Sequence, residues 1–264
     1  MGYQETATAL LANRAGGAAI GADAWAATGL APSDVEAGYQ AQAAMAAILG
    51  AQGQAQIGYK IGATNAVARG MLGLDTPFYG RLWSGQTVDA PGHLDFQPFL
   101  HQVAEPEIAV RLGHDLDPAS GEIDAAAVRL ATVEVLPVVE IVATPFDPWT
   151  QAGAPNLIAD NGAHGIWIKG RPVTDFANFD PLETAVSAAR TKGDAHNGKG
   201  GAVDGGCFTA TAWLANKLAE HGQMLRAGDY VSTGTATPPI PLVAGDEITC
   251  DFGPLGGLVV TISG

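Results

Sequence analysis

Hydrophobic and polar positions divide the chain into a helical beginning and a longer part with strand periodicity. Alanine-rich runs fill much of the first 50 residues, and SDVE matches a capping box, with Ser33 as N-cap and Glu36 at N3 of a helix that ends at Gly50. Short alternating runs separated by glycine and proline follow. The pattern predicts a mixed α+β protein with an N-terminal helical segment, residues 1–55, and a β-rich body, residues 56–264, in one continuous domain.

The predicted strands are alternating or apolar runs bounded by turn residues. They cover IGYKIGAT (57–64), RLWSGQTVDA (81–90), HQVAEPEIAVRLG (101–113), TVEVLPVVEIVA (132–143) and, near the end of the chain, DYVSTGT, GDEITCDFG and GGLVVTISG. A turn and a helix are predicted in DPASGEIDAAAVRLA, and a second helix at 207–221, where Gly222 is the stop. The polar, glycine-rich stretch 188–206 predicts a loop, either a lid or a surface loop.

Three glutamates lie inside two of the predicted strands. Glu105 and Glu107 are two positions apart in AEPEIAV, so they project from the same face of their strand. Glu140 interrupts the apolar run of the next strand. Carboxylates held together in a buried setting repel each other and need a countercharge, which Mg²⁺ or Mn²⁺ supplies with its preference for oxygen ligands. The alternative is that Glu105 and Glu107 face water while Glu140 pairs with an arginine.

Lys60 is a candidate for proton transfer. It lies in GYKIG, between apolar residues and glycines, where a lysine is expected to be buried. Burial alone lowers the pKa of an ammonium group toward neutrality. The alternative is a surface lysine whose ammonium reaches water beyond an apolar stem.

Two turn-like segments carry further polar candidates. Asp160, Asn161 and His164 in ADNGAHG are positioned to line a pocket mouth, although a plain loop with hydrogen-bonded Asp and Asn fits the pattern equally well. Thr235 and Thr237 in TGTATPP offer hydroxyls, next to backbone amides, that are able to hold a carboxylate. Taken alone, this second segment is a weak turn signal.

Composition narrows the classes of partner. The 264 residues are 47% hydrophobic and 15% charged, with a net charge of −14, which argues against nucleic acid and anionic membranes. Binding of an anionic substrate then requires local positive charge or hydrogen-bond donors, supplied by a metal, a lysine or backbone amides. We expect no membrane span and no signal peptide, because no apolar run is long enough and the N-terminus lacks a basic region. The two cysteines, without a CxxC, predict buried free thiols in a reducing cytoplasm.

Five segments in order resemble the 2-keto-4-pentenoate hydratase group of the fumarylacetoacetate hydrolase superfamily. They are GYKIGATNAVARGMLGLDTPFYGRL, AEPEIAVRLGHDL, VLPVVEIV, LIADNGAHGIWIKG and the run from WLANKLAEHG to CDFGPLG, and the match extends from about residue 5 to 262. The group also includes 2-oxohept-4-ene-1,7-dioate hydratases and 4-oxalocrotonate decarboxylases. The resemblance implies a mixed, β-sandwich-like roll preceded by helices, and a homo-oligomer.

The resemblance also implies roles for individual residues. Its metal ligands correspond to Glu105, Glu107 and Glu140, with Mg²⁺ or Mn²⁺ as cofactor, and its active-site lysine corresponds to Lys60. Together with the turn segments, this gives Lys60 and His164 as catalytic candidates and Phe78, Asp160, Asn161, Thr235 and Thr237 as substrate-binding candidates. The implied substrate is a 2-hydroxy-2,4-dienoate, a small 2-oxo acid in its enol form, which gains water at C4 in aromatic or other ring-cleavage catabolism.

Departures from the family pattern leave alternatives open. Phe78 stands in DTPFYG where family hydratases commonly carry an acid, and Gly162 and His164 replace alanine or hydroxyl residues in ADNGAHG. His164 titrates near neutrality and is a candidate for a relocated acid or base, or else has a structural or solvent-facing position. The alternatives to a hydratase are a decarboxylase of a vinylogous 2-oxo acid, a C–C hydrolase, and a non-catalytic partner subunit that binds metal and ligand.

Overall fold

The computed structural model describes residues 2–97, 100–191, 193 and 195–264. Its helices are α1 (Tyr3–Arg14), α2 (Ala22–Ala27), α3 (Val35–Ala51), α4 (Ala66–Leu72), α5 (Ala125–Ala131), α6 (Ala154–Ala159) and α7 (Gly206–Glu220). Its strands are β1 (Gln56–Gly62), β2 (Phe78–Trp83), β3 (Thr87–Asp89), β4 (Gly92–Asp95), β5 (His101–Leu112), β6 (Thr132–Thr144), β7 (His164–Lys169), β8 (Ala185–Arg190), β9 (Ala195–Lys199), β10 (Tyr230–Thr235), β11 (Ile240–Pro241), β12 (Glu247–Asp251) and β13 (Gly257–Ser263). None of the described helices combines the length and hydrophobicity that crossing a membrane requires.

Two sheets form the body of the molecule. The larger has the order β2-β1-β10-β5-β6-β7-β3, with β11 added beside β5, and the smaller has the order β4-β13-β12-β8-β9. Leu82 on β2 and Trp167 on β7 pack in one buried cluster although four strands separate them in the larger sheet, so that sheet curls. Apolar residues of both sheets, such as Val139 and Val260, share the main core. The mixed, sandwich-like roll predicted for the chain is confirmed.

The N-terminal helices pack beside the strands that carry the candidate site. Leu10 of α1 and Met45 of α3 share a buried cluster with Phe146 and Leu157, which follow β6. Arg14 in the last turn of α1 reaches further and donates hydrogen bonds to the carbonyls of Ala143 (2.7 Å) and His164 (2.9 Å). These contacts join the helices closely to the body. The division of the chain between residues 55 and 56 stays a prediction.

Two local predictions are wrong in detail. The N-cap of α3 is Asp34 and not Ser33: the Asp34 carboxylate accepts a hydrogen bond from the Ala37 N–H (2.8 Å), and the Ser33 hydroxyl donates to that carboxylate (3.0 Å). An ionised carboxylate is the stronger acceptor for the first amides of a helix. The helix also continues to Ala51, one residue beyond Gly50.

The predicted loop at 188–206 is largely ordered structure. It contains the end of β8, the whole of β9, a 3₁₀ turn at Gly200–Ala202 and the start of α7. The two strands pair antiparallel, and β8 also pairs with β12, so backbone hydrogen bonds hold a segment whose small polar side chains give no strand signal. Lys192 and Asp194, within the predicted loop, lie outside the described residues. The pattern also missed α4 and α6, both short helices.

Candidate metal centre and substrate site

The central strand pair brings the three predicted carboxylates together. Glu105 lies directly opposite Glu140 in the β5–β6 register, and Glu107 follows two positions along on the same face. One carboxylate oxygen from each lies within 4.8 Å of the others. Glu107 and Glu140 are completely buried, whereas Glu105 is partly exposed. The cluster therefore faces solvent on the side of Glu105.

Each buried glutamate has one oxygen held by the protein and one left over. Glu107 Oε2 accepts hydrogen bonds from the Ser232 hydroxyl (2.6 Å) and the Gly234 N–H (3.0 Å), and Glu140 Oε1 is 2.9 Å from His164 Nδ1. Glu107 Oε1 and Glu140 Oε2 are buried without a hydrogen-bond partner among the described residues, although Glu140 Oε2 lies in an ion pair with Lys60. Buried carboxylate oxygens are costly without a partner, and an all-oxygen set suits Mg²⁺ or Mn²⁺. The residues present thus fit a divalent cation.

Lys60 is the countercharge that the chain itself supplies. It is buried in β1, and its Nζ lies 3.3 Å from Glu140 Oε2 and 3.1 Å from the Gly162 carbonyl oxygen, to which it donates a hydrogen bond. Burial opposes its charge, but the field of the three glutamates outweighs that effect and raises the pKa of Lys60 above its ordinary value. The expectation of a lowered pKa for Lys60 is therefore wrong, because the glutamates outweigh the effect of burial. One ammonium balances one carboxylate, and two negative charges remain.

Without a cation, protons must balance the remaining charge. Desolvation raises the pKa of Glu105 to about 7 against the pull of Lys60, and desolvation and the other two glutamates raise the pKa of Glu107 well above its ordinary value. Burial also disfavours the charged form of Glu140, yet Lys60 and the hydrogen bond with His164 hold its pKa below the ordinary value. These directions favour the ionised form of Glu140, and they favour the protonated forms of Glu105 and Glu107 when no cation is bound.

Phe78 lies against Lys60 at the start of β2. The Lys60 Nζ is 5.7 Å from the centroid of the Phe78 ring, and the ring is buried. Gly62 makes room for it, because a Cβ at that position would lie 2.4 Å from the ring. Asp75, the nearby acid in the sequence, is exposed. An aromatic face therefore stands beside the ammonium group.

The turn after α6 is fixed to its surroundings by its side chains. The Asp160 carboxylate is completely buried and accepts hydrogen bonds from Arg14 and from the Thr144 hydroxyl (2.8 Å). The Asn161 amide pairs with the backbone N–H and carbonyl of Arg81 at 2.8 and 2.9 Å. The prediction that Asp160 lines a pocket mouth is wrong. The alternative prediction, a loop with hydrogen-bonded Asp and Asn side chains, describes both residues. Substrate binding by either one stays a prediction.

The threonine segment lies beside Glu107. Thr235 is opposite Glu107 in the β10–β5 register, and its hydroxyl donates to the Thr237 carbonyl oxygen (2.7 Å). The Thr237 hydroxyl donates in turn to the Pro238 carbonyl oxygen (3.1 Å). Both hydroxyls are thus engaged within the segment, so a carboxylate-binding role stays a prediction.

Sequence reasoning missed three residues that support this site. Ser232 bonds Glu107, the Trp167 indole N–H donates to the Ser232 hydroxyl (2.9 Å), and Arg14 holds Asp160. Each contact joins elements far apart in the chain. The only sequence signal of Ser232 is a polar residue at an inward position of a strand, which does not reveal its partner. Trp167 lies in an apolar strand and Arg14 at the end of a helix, and neither position gives such a signal.

Comparison with known proteins identifies the family. No model of a known protein family matches the chain. A 2-hydroxyhexa-2,4-dienoate hydratase from Comamonas testosteroni is 33% identical over 216 residues, which are 81% of this chain and 80% of the relative. The chain belongs to the 2-keto-4-pentenoate hydratase and 4-oxalocrotonate decarboxylase family. A second family member, a TodF product hydratase from Pseudomonas putida, is 28% identical over 88% of this chain and 85% of its own.

Solved structures agree with this family and with the fold. A 4-oxalocrotonate decarboxylase from Pseudomonas putida G7, complexed with magnesium and adipate, superimposes with a TM-score of 0.88 at 26% identity and covers 98% of this chain and 97% of its own. A fumarylpyruvate hydrolase from Pseudomonas aeruginosa, with Mn²⁺ and pyruvate, has a TM-score of 0.61 at 17% identity over 78% of this chain and 88% of its own, and shows the shared fold. The predicted family and the predicted fold are confirmed.

Proposed function

We propose that this family member is a divalent-metal-dependent hydratase of a 2-hydroxy-2,4-dienoate, which it converts to a 4-hydroxy-2-oxo acid in ring-cleavage catabolism. The observation that carries the proposal is the cluster of Glu105, Glu107 and Glu140, in which one lysine is the countercharge for three carboxylates and Glu107 Oε1 is buried without a hydrogen-bond partner among the described residues. The 33% identity to a dienoate hydratase over most of the chain supports the substrate class.

The three glutamates would hold Mg²⁺ or Mn²⁺, with Glu105 on the solvent side. When bound, the cation supplies Lewis acidity to the carboxylate and C2 oxygens of a 2-oxo acid. The cation also explains how a chain with a net charge of −14 attracts an anion.

Lys60 is proposed as the residue that handles the substrate's charge and proton. Because its pKa is raised, it is an ammonium group at neutral pH and acts as a proton donor or as an anchor for the substrate anion, not as a base. The Gly162 carbonyl fixes the direction of its stem, and the Phe78 ring beside it excludes water from that side. A dienol that accepts a proton from such a donor at C5 and releases its C2 hydroxyl proton becomes the 2-oxo-3-ene, which then adds water at C4.

The direct test is turnover of 2-hydroxypenta-2,4-dienoate, generated enzymatically, in the presence of Mg²⁺. We expect loss of the dienol absorbance, a product heavier by one water, and no turnover after metal removal. Glu107→Gln should abolish activity with the fold intact. Glu134→Gln is the matched control, since Glu134 lies on β6 but pairs with Arg111 outside the cluster, and it should stay active. Full activity of the Glu107 variant would contradict the assigned ligand set.

A metal-dependent decarboxylase is the second candidate. It is favoured by the 4-oxalocrotonate decarboxylase structure that superimposes on 98% of the chain, and by a decarboxylase from Pseudomonas sp. strain CF600 that is 30% identical over 76% of this chain and 75% of its own. Release of CO₂ from 2-oxohex-3-enedioate, without hydration of the dienoate, would assign this activity. Metal-dependent binding of both acids without turnover would instead assign a non-catalytic partner subunit.

We also propose a cytoplasmic location and a homo-oligomeric state. Cys207 and Cys250 are both buried and free, as predicted, which supports a reducing compartment. The oligomeric state rests on the family resemblance, and light scattering on the purified protein measures it.

A further inference from the structure

His164 makes a single polar side-chain contact in the described structure, and it is with Glu140. The imidazole is buried, with Nδ1 at 2.9 Å from Glu140 Oε1, while Nε2 lacks a hydrogen-bond partner among the described residues. An ionised carboxylate only accepts hydrogen bonds, so the proton of this bond is on Nδ1. The other oxygen of the same carboxylate lies 3.3 Å from Lys60 Nζ. Glu140 is thus held between two side chains.

A local irregularity in the sheet brings His164 to this place. Glu140 pairs with Trp167 and Ile141 with Ile166, but the next residue, Val142, pairs with His164, so Gly165 is passed over. In an unshifted register, the partner of Val142 would be Gly165, and His164 would belong to the opposite face of the sheet. The extra residue turns the imidazole toward the Glu140 face, as β-bulges do for side chains near functional sites.

Only glycine fits at the bulged position. A Cβ on Gly165 would lie 2.6 Å from the Ile141 carbonyl oxygen and 2.7 Å from the Ala143 Cβ. The backbone of His164 is fixed as well, because its carbonyl accepts a hydrogen bond from Arg14 (2.9 Å). The imidazole therefore meets Glu140 from a rigid support.

We propose that His164 is a positioning residue that orients Glu140 for the divalent cation. By holding Oε1, the imidazole fixes the carboxylate so that Oε2 faces the cluster and Lys60. Glu107 has a separate support of the same kind, in which Trp167 holds Ser232 and Ser232 holds one carboxylate oxygen. This inference rests on the proposed metal site and gives His164 a role through Glu140 instead of contact with substrate.

Magnesium binding to the metal-stripped protein, measured by calorimetry without substrate, tests this role. His164→Leu keeps bulk but removes the donor, and we expect Mg²⁺ to bind about 10–100-fold more weakly. His164→Asn keeps an N–H at the place of Nδ1 and should remain within a few-fold of the unmodified protein. Thr211→Val is the matched control: it removes a buried hydrogen bond, to the Cys207 carbonyl in α7, and should leave Mg²⁺ affinity unchanged.

Excess Mg²⁺ gives a second readout. Under the proposal, the leucine variant regains kcat when Mg²⁺ is raised to saturation, because the defect lies in metal binding. Unchanged Mg²⁺ affinity in the leucine variant, or an asparagine variant as weak as leucine, would overturn the proposal. An altered pH–rate profile at unchanged Mg²⁺ affinity would overturn it too, in favour of acid–base catalysis by His164.

Nitrogen NMR gives a readout on the unmodified protein itself. The His164 imidazole, assigned by its absence in the asparagine variant, should carry its proton on Nδ1. A proton on Nε2 alone would overturn the proposal, since Nδ1 would then have nothing to donate to Glu140. The proposed function fails by a different result. If the unmodified protein binds no Mg²⁺, the metal centre is refuted. If the unmodified protein and the leucine variant bind Mg²⁺ equally well, only the role of His164 is refuted.

Discussion

At the scale of single residues, the site is a problem of charge. Glu105, Glu107 and Glu140 meet at one place, and Lys60 neutralises only one of them. Burial makes the remaining repulsion expensive, so we expect the metal-free protein to hold protons that a bound cation would replace. The apolar residues around Lys60 pointed to its burial, but not to its pKa, because that depends on carboxylates contributed by other strands.

Removing the ammonium group tests its share of this balance. Lys60→Met should destabilise the metal-free protein by about 3–5 kcal/mol, since Glu140 loses its charged partner in a buried site. Saturating Mg²⁺ should recover much of that loss. Lys217→Met is the control, because Lys217 pairs with an exposed Glu220 and contributes little. Urea denaturation with and without Mg²⁺ measures the free energy of unfolding of both variants. Equal losses of stability in the Lys60 and Lys217 variants would contradict the account.

The pH dependence of metal binding follows from the raised pKa values. A carboxyl whose folded pKa lies above its unfolded value stabilises the fold fully below the unfolded pKa and loses that contribution as pH rises through the folded one. For Glu105 this loss extends from its unfolded pKa to about pH 7. Mg²⁺ competes with the bound protons, so its affinity should rise, and the increase in Tm it causes should grow, between pH 5.5 and 8. Calorimetry in buffers of different ionisation enthalpy should show proton release on Mg²⁺ binding. An Mg²⁺ affinity that does not change across that pH range would contradict the assignment.

At the scale of elements, the sequence pattern predicted the long central strands but not their irregularities. β5 and β6 follow the predicted runs closely, because each repeats a strong apolar pattern over more than ten residues. The hairpin of β8 and β9 was missed because its stability comes from pairing with β12 and not from its own side chains. The bulge at Gly165 could not be predicted for a similar reason, because a register shift depends on how two strands pair and not on the sequence of one.

The bulge gives the prediction at this scale. Gly165→Ala should destabilise the protein by about 1–3 kcal/mol, because the new Cβ meets the Ile141 carbonyl and Ala143. It should also weaken Mg²⁺ binding, since His164 moves with the strand. Gly50→Ala is the control: that position in α3 has open space, and alanine there favours the helix by up to about 1 kcal/mol. Denaturation and calorimetry distinguish the two, and a Gly165 variant as stable as the Gly50 variant would refute the packing argument.

At the scale of the whole molecule, distant parts of the chain converge on one carboxylate cluster. β1 supplies Lys60, the central pair supplies the glutamates, and β10 supplies Ser232, while α1 fixes the turn before β7 through Arg14. Charged residues inside apolar strands made the acids and the lysine candidates, and the family resemblance gave them a shared role. It did not identify their hydrogen-bond partners, because those depend on which strands become neighbours in the curled sheet.

The most direct measurement is an anomalous difference map from crystals of this protein grown with Mn²⁺ and oxalate. The account predicts one strong peak bonded at about 2 Å to oxygens of Glu105, Glu107 and Glu140, with oxalate on its open side. A map without a peak there, with the Lys60 ammonium among the three carboxylates in place of the ion, would contradict the central claim.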